Sequence, residues 1–209
     1  MKLIKYAHAC VRLETGHGTV VLDPNSWIEP TALAGADAVL VTHEHFDHVD
    51  VPTVAAAAKA DPKLRIWAPA PVAEQLSEVA GQVTAVGPGE AFTAAGVEVR
   101  TVGGVHATVH PDVPTCPNVG YLVGDVYHPG DAFAVPDEPV RVLLLPVSGP
   151  WLKMAEVVDF ARAVDAEHSI PIHEGAHSEM GLQLTDRLVG NLAPNVGYQR
   201  LAPGESVEL

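Results

Sequence analysis

An unbroken apolar run, Ala38-Val39-Leu40-Val41, opens directly onto Thr42-His43-Glu44-His45-Phe46-Asp47-His48, and this junction constrains the fold more than any other stretch of the chain. A strand with no polar alternation has to be covered on both faces, so a sheet with a layer on either side is expected. The segment that follows it sets His43, His45, Asp47 and His48 within six residues. Loops at the ends of such strands are where α/β sheets place ligand sites. In an extended segment His43 and His45 point the same way and can share one cation. A turn at Phe46 would carry Asp47 and His48 to a second position a few ångströms away. Neutral imidazole nitrogen and carboxylate oxygen suit zinc, manganese or iron. A polar loop that merely happens to be rich in histidine does not account for this spacing.

The remaining elements are read from period and punctuation. Short strands are expected over 2–6, 10–14 and 19–22, with Thr15-Gly16-His17-Gly18 as a hairpin turn. Asp50-Val51-Pro52 has the marks of a helix start, a capping Asp and a first-turn Pro, and the alanines carry that helix to about residue 60. Further strands are expected over 65–67, 83–86, 91–93, 97–102, 118–123, 125–128, 141–145, 169–172 and 206–209, and helices over 71–79, 155–164 and 182–189. The 18 glycines and 18 prolines fit many turns between strands better than a helical bundle. With no internal repeat or linker, residues 1–209 read as one α/β domain with helices packed on sheets.

Charge narrows the partners. Twelve Lys and Arg against 26 Asp and Glu leave a net charge of −14, the opposite of the basic footprint that neutralises phosphates. A nucleic-acid partner is therefore not expected. No apolar run reaches the length that spans a bilayer, so no membrane partner is expected either. Only Cys10 and Cys116 are present, far apart, which argues against a disulfide framework and for a reducing cytoplasm.

The segment His43, His45, Asp47, His48 resembles the H-x-H-x-D-H signature of the metallo-β-lactamase superfamily, and the match is complete. That resemblance implies a four-layer αβ/βα sandwich with the metals at one edge, between two sheets. It also implies a third histidine for the first metal, for which His106 in Gly103-Gly104-Val105-His106-Ala107 fits. A bridging aspartate after a hairpin is implied as well, and Asp131 in Gly130-Asp131 fits. The histidine that closes the second site fits His173 in Ile170-Pro171-Ile172-His173. Within the superfamily, Tyr6-Ala7-His8-Ala9-Cys10, Leu22-Asp23-Pro24 and Tyr127-His128-Pro129-Gly130-Asp131 resemble the small hydrolases related to L-ascorbate-6-phosphate lactonase. Ala132 stands where that group commonly has Thr, and Ser148-Gly149-Pro150-Trp151-Leu152 departs from its pattern.

What the resemblance implies is a hydrolase with two divalent cations, Zn²⁺ or Mn²⁺, acting on a small ester, lactone or phosphate ester. A hydroxide held between the metals by Asp47 and Asp131 would be the nucleophile. His110, four residues past His106, is a candidate proton donor or substrate contact, with a plain surface residue as the alternative. His8 either supports a ligand or is a satisfied core histidine, and His128 either lines the pocket or does not. Asp23 either holds a ligand imidazole through its free N–H or simply turns the strand end. Two other readings compete: non-heme iron chemistry of the persulfide dioxygenase kind, and a metal-binding member of the same fold without catalysis.

Overall fold

The computed structural model, described over residues 1–28 and 30–209, contains two sheets. The strands are β1 (Lys2–Lys5), β2 (Val11–Glu14), β3 (Thr19–Leu22), β4 (Ala38–Leu40), β5 (Arg65–Ala68), β6 (Val83–Ala85), β7 (Ala91–Ala94), β8 (Val97–Gly103), β9 (Val119–Val123), β10 (Val126–His128), β11 (Val142–Pro146), β12 (His168–Ile172) and β13 (Ser206–Glu208). The helices are α1 (Val51–Ala60), α2 (Ala70–Gln75), α3 (Met154–Val164) and α4 (Glu179–Leu192). One sheet has the order β13-β1-β2-β3-β4-β5-β6 and the other β12-β11-β10-β9-β8-β7. Each is antiparallel where hairpins join neighbours, and β3-β4-β5-β6 and β10-β11-β12 run parallel.

Side-chain alternation along fully apolar strands builds the layers. Leu22 and Leu40 point inward to a core shared with Tyr121, Val123 and Leu144 of the other sheet. Their neighbours Val21 and Val39 point outward onto Val54 and Ala58 of α1 and Val72 of α2. On the second sheet Leu143 and Leu145 face outward onto Val157 and Phe160 of α3 and Val189 of α4. Three apolar cores thus separate four layers, helix–sheet–sheet–helix, which is the αβ/βα sandwich expected. Among the described residues, no helix is long and apolar enough to cross a membrane.

Two expected helices differ from the observed ones. The helix expected over 71–79 is instead the short α2, followed by a tighter 3₁₀ segment Ser77–Gln82 that is kinked at Val79 (φ −124°). Val72, Leu76 and Val79 are all buried in one core. Conversely, α4 begins earlier than the expected 182–189, because Ser178 caps it by accepting the Gly181 N–H at 3.2 Å.

The chain leaves the ends of β1, β3, β4, β8, β10, β11 and β12 toward one edge, where the two sheets are tied together. The Thr42 carbonyl accepts the Val119 N–H (2.9 Å), and the fully buried Tyr121 hydroxyl donates to the Val41 carbonyl at 2.9 Å. Tyr121→Phe should keep the packing but leave that carbonyl short of a partner, costing about 1–3 kcal/mol. Urea unfolding checks this; an unchanged midpoint would show that the bond contributes nothing.

Candidate metal centre

Seven side chains expected from the sequence meet at this edge. His43, His45 and His106 turn ring nitrogens to one another; His43, His48 and Asp131, and His48, Asp47, His173 and His8, bring ring nitrogens and carboxylate oxygens together, and within each group the ligand-type atoms lie within 4.8 Å. Asp131 touches both sides of the cluster. Its Oδ1 is 3.0 Å from His48 Nε2, and its Oδ2 is 3.3 Å from His106 Nε2 and 3.1 Å from His173 Nε2. Asp47 Oδ2 stands 3.5 Å from both His173 Nε2 and His8 Nε2.

Local structure explains each placement. The segment after β4 turns at 45–48, the His45 carbonyl accepting the N–H groups of His48 (2.9 Å) and Val49 (3.0 Å). That is the turn expected at Phe46. His106 rides on an extension of the β8–β9 ladder, its N–H donating to the Cys116 carbonyl at 3.0 Å. Asp131 follows Gly130, whose φ of +64° and close approach to Asn118 and Thr42 leave no room for a Cβ. Its own N–H donates to Asn118 Oδ1 at 3.0 Å.

Backbone and neighbouring polar groups decide which nitrogen of each imidazole faces the cluster. Asp23 Oδ2 accepts from His48 Nδ1 (2.6 Å) and from the Thr42 hydroxyl (2.8 Å). Because that hydroxyl hydrogen is engaged, Thr42 Oγ1 is an acceptor for His43 Nδ1 at 3.0 Å. His106 Nδ1 donates to the Ala107 carbonyl at 2.6 Å. In all three rings Nδ1 is held by an acceptor, so Nε2 faces the cluster and carries the lone pair whenever the ring is neutral, the state in which an imidazole binds metal. His8 is set the other way. Its Nδ1 accepts the Gly175 N–H at 3.1 Å, and burial pushes its pKa down, so the ring is neutral and its one proton is on Nε2, facing Asp47. His128 is likewise a support: Nε2 donates to the Ala9 carbonyl (2.9 Å) and Nδ1 accepts the Gly130 N–H (3.1 Å).

The donor set fits a cation on an observation of this structure. Six buried atoms here, Nε2 of His8, His48 and His106, Oδ1 of Asp131 and both ring nitrogens of His173, have no hydrogen-bond partner among the described residues. Buried polar atoms left alone cost about 1–3 kcal/mol each, and close, misaligned contacts between them do not repay that. With His8 Nε2 carrying its own proton, a cation would satisfy the nitrogens of His48, His106 and His173 and the Asp131 oxygen that converge in this way. Burial raises the Asp47 carboxyl, but the His173 and His8 rings 3.5 Å away more than reverse this and hold it well below the usual range.

Two residues were not found by sequence reasoning in the roles they hold. Trp151, in the stretch that departs from the resembled group, donates from Nε1 to Asp131 Oδ2 at 2.8 Å. Lys5, which reads as an ordinary strand lysine, is fully buried and donates to the His8 carbonyl (2.6 Å) and Glu174 (2.8 Å). His110, the candidate proton donor, is not brought to the cluster. Its Pro-rich loop leaves the ring exposed, with Nδ1 accepting the Asp112 N–H at 3.1 Å.

Known proteins resemble the chain over most of its length. The family described as the β-lactamase superfamily domain matches residues 2–173. Protein Rv0786c of Mycobacterium tuberculosis is 38% identical over 181 residues, 83% of this chain and 84% of its own. A UPF0173 metal-dependent hydrolase of Aeropyrum pernix is 27% identical over 205 residues, 83% of this chain and 82% of its own. The solved structure of a metallo hydrolase from the archaeon Ignicoccus hospitalis is similar in fold, with a TM-score of 0.76 at 20% identity over 99% of this chain and 97% of that one.

The electrostatics predict how a cation enters. Burial disfavours a charged His48, but the carboxylates of Asp131 and Asp23 overcome it and raise its pKa to about 10. In the metal-free protein His48 is therefore protonated at pH 7, and a metal must displace that proton. Metal uptake should release protons, with apparent affinity rising as pH climbs from about 6. Asp23→Asn should reduce the protons released and weaken binding by about 10–100-fold. Calorimetry in buffers of different ionisation heat reads both; proton-neutral uptake would refute the assignment.

Proposed function

Because the chain belongs to the metallo-β-lactamase superfamily, we propose that it is a metal-dependent hydrolase of a small ester, lactone or phosphate ester, working with two divalent cations, Zn²⁺ or Mn²⁺. The observation that carries this reading is the convergence of buried ring nitrogens of His48, His106 and His173 and an Asp131 oxygen, none with a hydrogen-bond partner among the described residues, on one space. One cation would be held by His43, His45 and His106, the other by Asp47, His48 and His173, with Asp131 between them. Such cations supply Lewis acidity that polarises a substrate oxygen and makes water a nucleophile at neutral pH.

The chain's own groups do the rest. Asp131, fixed by the Trp151 N–H on one oxygen, directs its other oxygen into the centre. Asp47 stays anionic and orients the attacking water. His8 donates its Nε2–H toward Asp47 and so supports that carboxylate instead of serving as a ligand. His110 is left without a catalytic role in this reading, because its ring is turned to solvent. The excess of acidic residues, 26 against 12 basic, supports a small-molecule substrate over a nucleic acid. The two cysteines are free, in keeping with the cytoplasmic location we infer.

Chelation should abolish hydrolysis, and added Zn²⁺ or Mn²⁺ should restore it. Activity in a verified metal-free preparation would end the proposal. Asp131→Ala should keep the fold, lower bound metal from two per chain toward one, and reduce turnover by orders of magnitude. Metal analysis beside circular dichroism separates this from unfolding. A variant with two metals and wild-type turnover would make Asp131 a mere turn residue.

A further inference from the structure

The walls of the centre carry information that its ligands do not. A cavity of about 260 Å³ opens on the imidazoles and carboxylates, and its remaining walls are Phe46, Val109, Pro150 and Trp151. Beyond Phe46 a second cavity of about 300 Å³ is lined by Ala7, His8, Trp27 and Gly175. The Trp27 and Phe46 rings meet edge to face at 5.6 Å, forming a ridge between the two. Trp27 is 52% exposed, Phe46 66% and Val109 40%. A single exposed hydrophobe needs no explanation, but three around the mouth of a polar centre mark a surface that something apolar covers.

Charge selects what that something is. Among the described residues, no Lys or Arg lines either cavity. Sites built for phosphate or carboxylate groups commonly add Arg or Lys donors, whereas here the walls beyond the ligands are the apolar Phe46, Val109, Pro150 and Trp151. Lys5, the buried cation near His8, is committed to Glu174 and to backbone carbonyls.

We infer that the substrate is an uncharged carboxylic ester or lactone whose acyl part is apolar and lies on Phe46, Val109 and Trp151, and not a phosphate ester. This rests on the hydrolase reading above and narrows it. The reaction consumes one water. Its oxygen bonds to the carbonyl carbon, the bond from that carbon to the alcohol oxygen breaks, the alcohol leaves with one proton, and the other is lost as the new acid ionises.

The test uses the metal-loaded protein with p-nitrophenyl acetate, butyrate and phosphate, and calorimetric binding of butyrophenone, an uncharged ketone that cannot be hydrolysed. The butyrate should exceed the acetate in kcat/KM and exceed the phosphate by at least about 100-fold, a gap of about 2.7 kcal/mol. Phe46→Ala should raise KM for the butyrate by about tenfold, with a smaller effect on the acetate, and weaken butyrophenone binding in parallel. Val109→Lys should move the preference toward the phosphate. Both side chains are substantially exposed, so the variants should fold. If no compound is hydrolysed but butyrophenone binds and Phe46→Ala weakens it, the hydrolase reading fails and the apolar site stands. If the phosphate is the best substrate, or Phe46→Ala changes neither the butyrate reaction nor butyrophenone binding, the inference is overturned while the hydrolase reading survives. Absence of butyrophenone binding overturns the inference whatever the activity.

Discussion

Asp23 is the buried group on which the centre depends. It ends β3 with no solvent exposure and a φ of +46°, beside the end of β4 in a parallel register that pairs Leu22 with Leu40. From there Oδ1 accepts the Thr42 N–H at 2.7 Å, and Oδ2 accepts both the Thr42 hydroxyl and His48 Nδ1. One carboxylate therefore anchors the first residue of the histidine loop and sets two rings, His48 directly and His43 through the Thr42 hydroxyl. Neither ring could hold its Nε2 lone pair toward the centre if Asp23 were apolar. A hydrocarbon there would pack as well and leave the imidazoles free to flip.

Backbone strain concentrates at the same place. Of the five non-glycine residues with positive φ among the described residues, three are His8, Asp23 and His173. Such conformations cost about 1–3 kcal/mol each and persist only where the surroundings fix them. Here the fixing is specific. Lys5 holds the His8 carbonyl, that carbonyl also accepts the His173 N–H at 3.3 Å, and the Ser148 hydroxyl donates to the His173 carbonyl. The buried Lys5–Glu174 pair thus does more than neutralise itself: it clamps the chain between β1 and β2 to the segment after β12. Three apolar cores supply the stability that offsets this strain.

The layers and nearly all strands were legible because strands buried on both faces are continuous apolar runs, and turns carry Gly, Pro or Asp. The loop after β4 was legible because its candidate ligands fall within six residues of the chain. His106, Asp131 and His173 were legible only through their order and their position after strands; each alone reads as a turn residue. What stayed hidden depends on partners distant in sequence. The protonation of His8 is set by the N–H of Gly175, 167 residues away. Trp151 reads as a core aromatic until its N–H is seen on Asp131, and Lys5 alternates with apolar neighbours as a surface lysine would. His110 misleads for the opposite reason: its nearness to His106 along the chain is undone by a loop that carries it outward.

Histidine itself does not define a role in this chain; what the backbone offers its ring does. Where Nδ1 meets an acceptor, as His43 meets Thr42, His48 meets Asp23 and His106 meets the Ala107 carbonyl, it is Nε2 that faces inward and offers the lone pair once the ring is neutral. Where Nδ1 meets a donor, as His8 meets the Gly175 N–H and His128 the Gly130 N–H, the ring carries its proton on the other side and becomes a donor. A purely geometric grouping sets His8 beside Asp47, His48 and His173 as a possible ligand. The proton count separates it from them: a neutral imidazole has one lone-pair nitrogen, and in His8 that nitrogen is already used. His8 could enter a metal's coordination only by breaking the bond from Gly175, which would loosen the segment carrying His173. In the two-cation reading proposed above, the second cation would therefore be held by Asp47, His48, Asp131 and His173, with His8 held back as the donor that steadies Asp47.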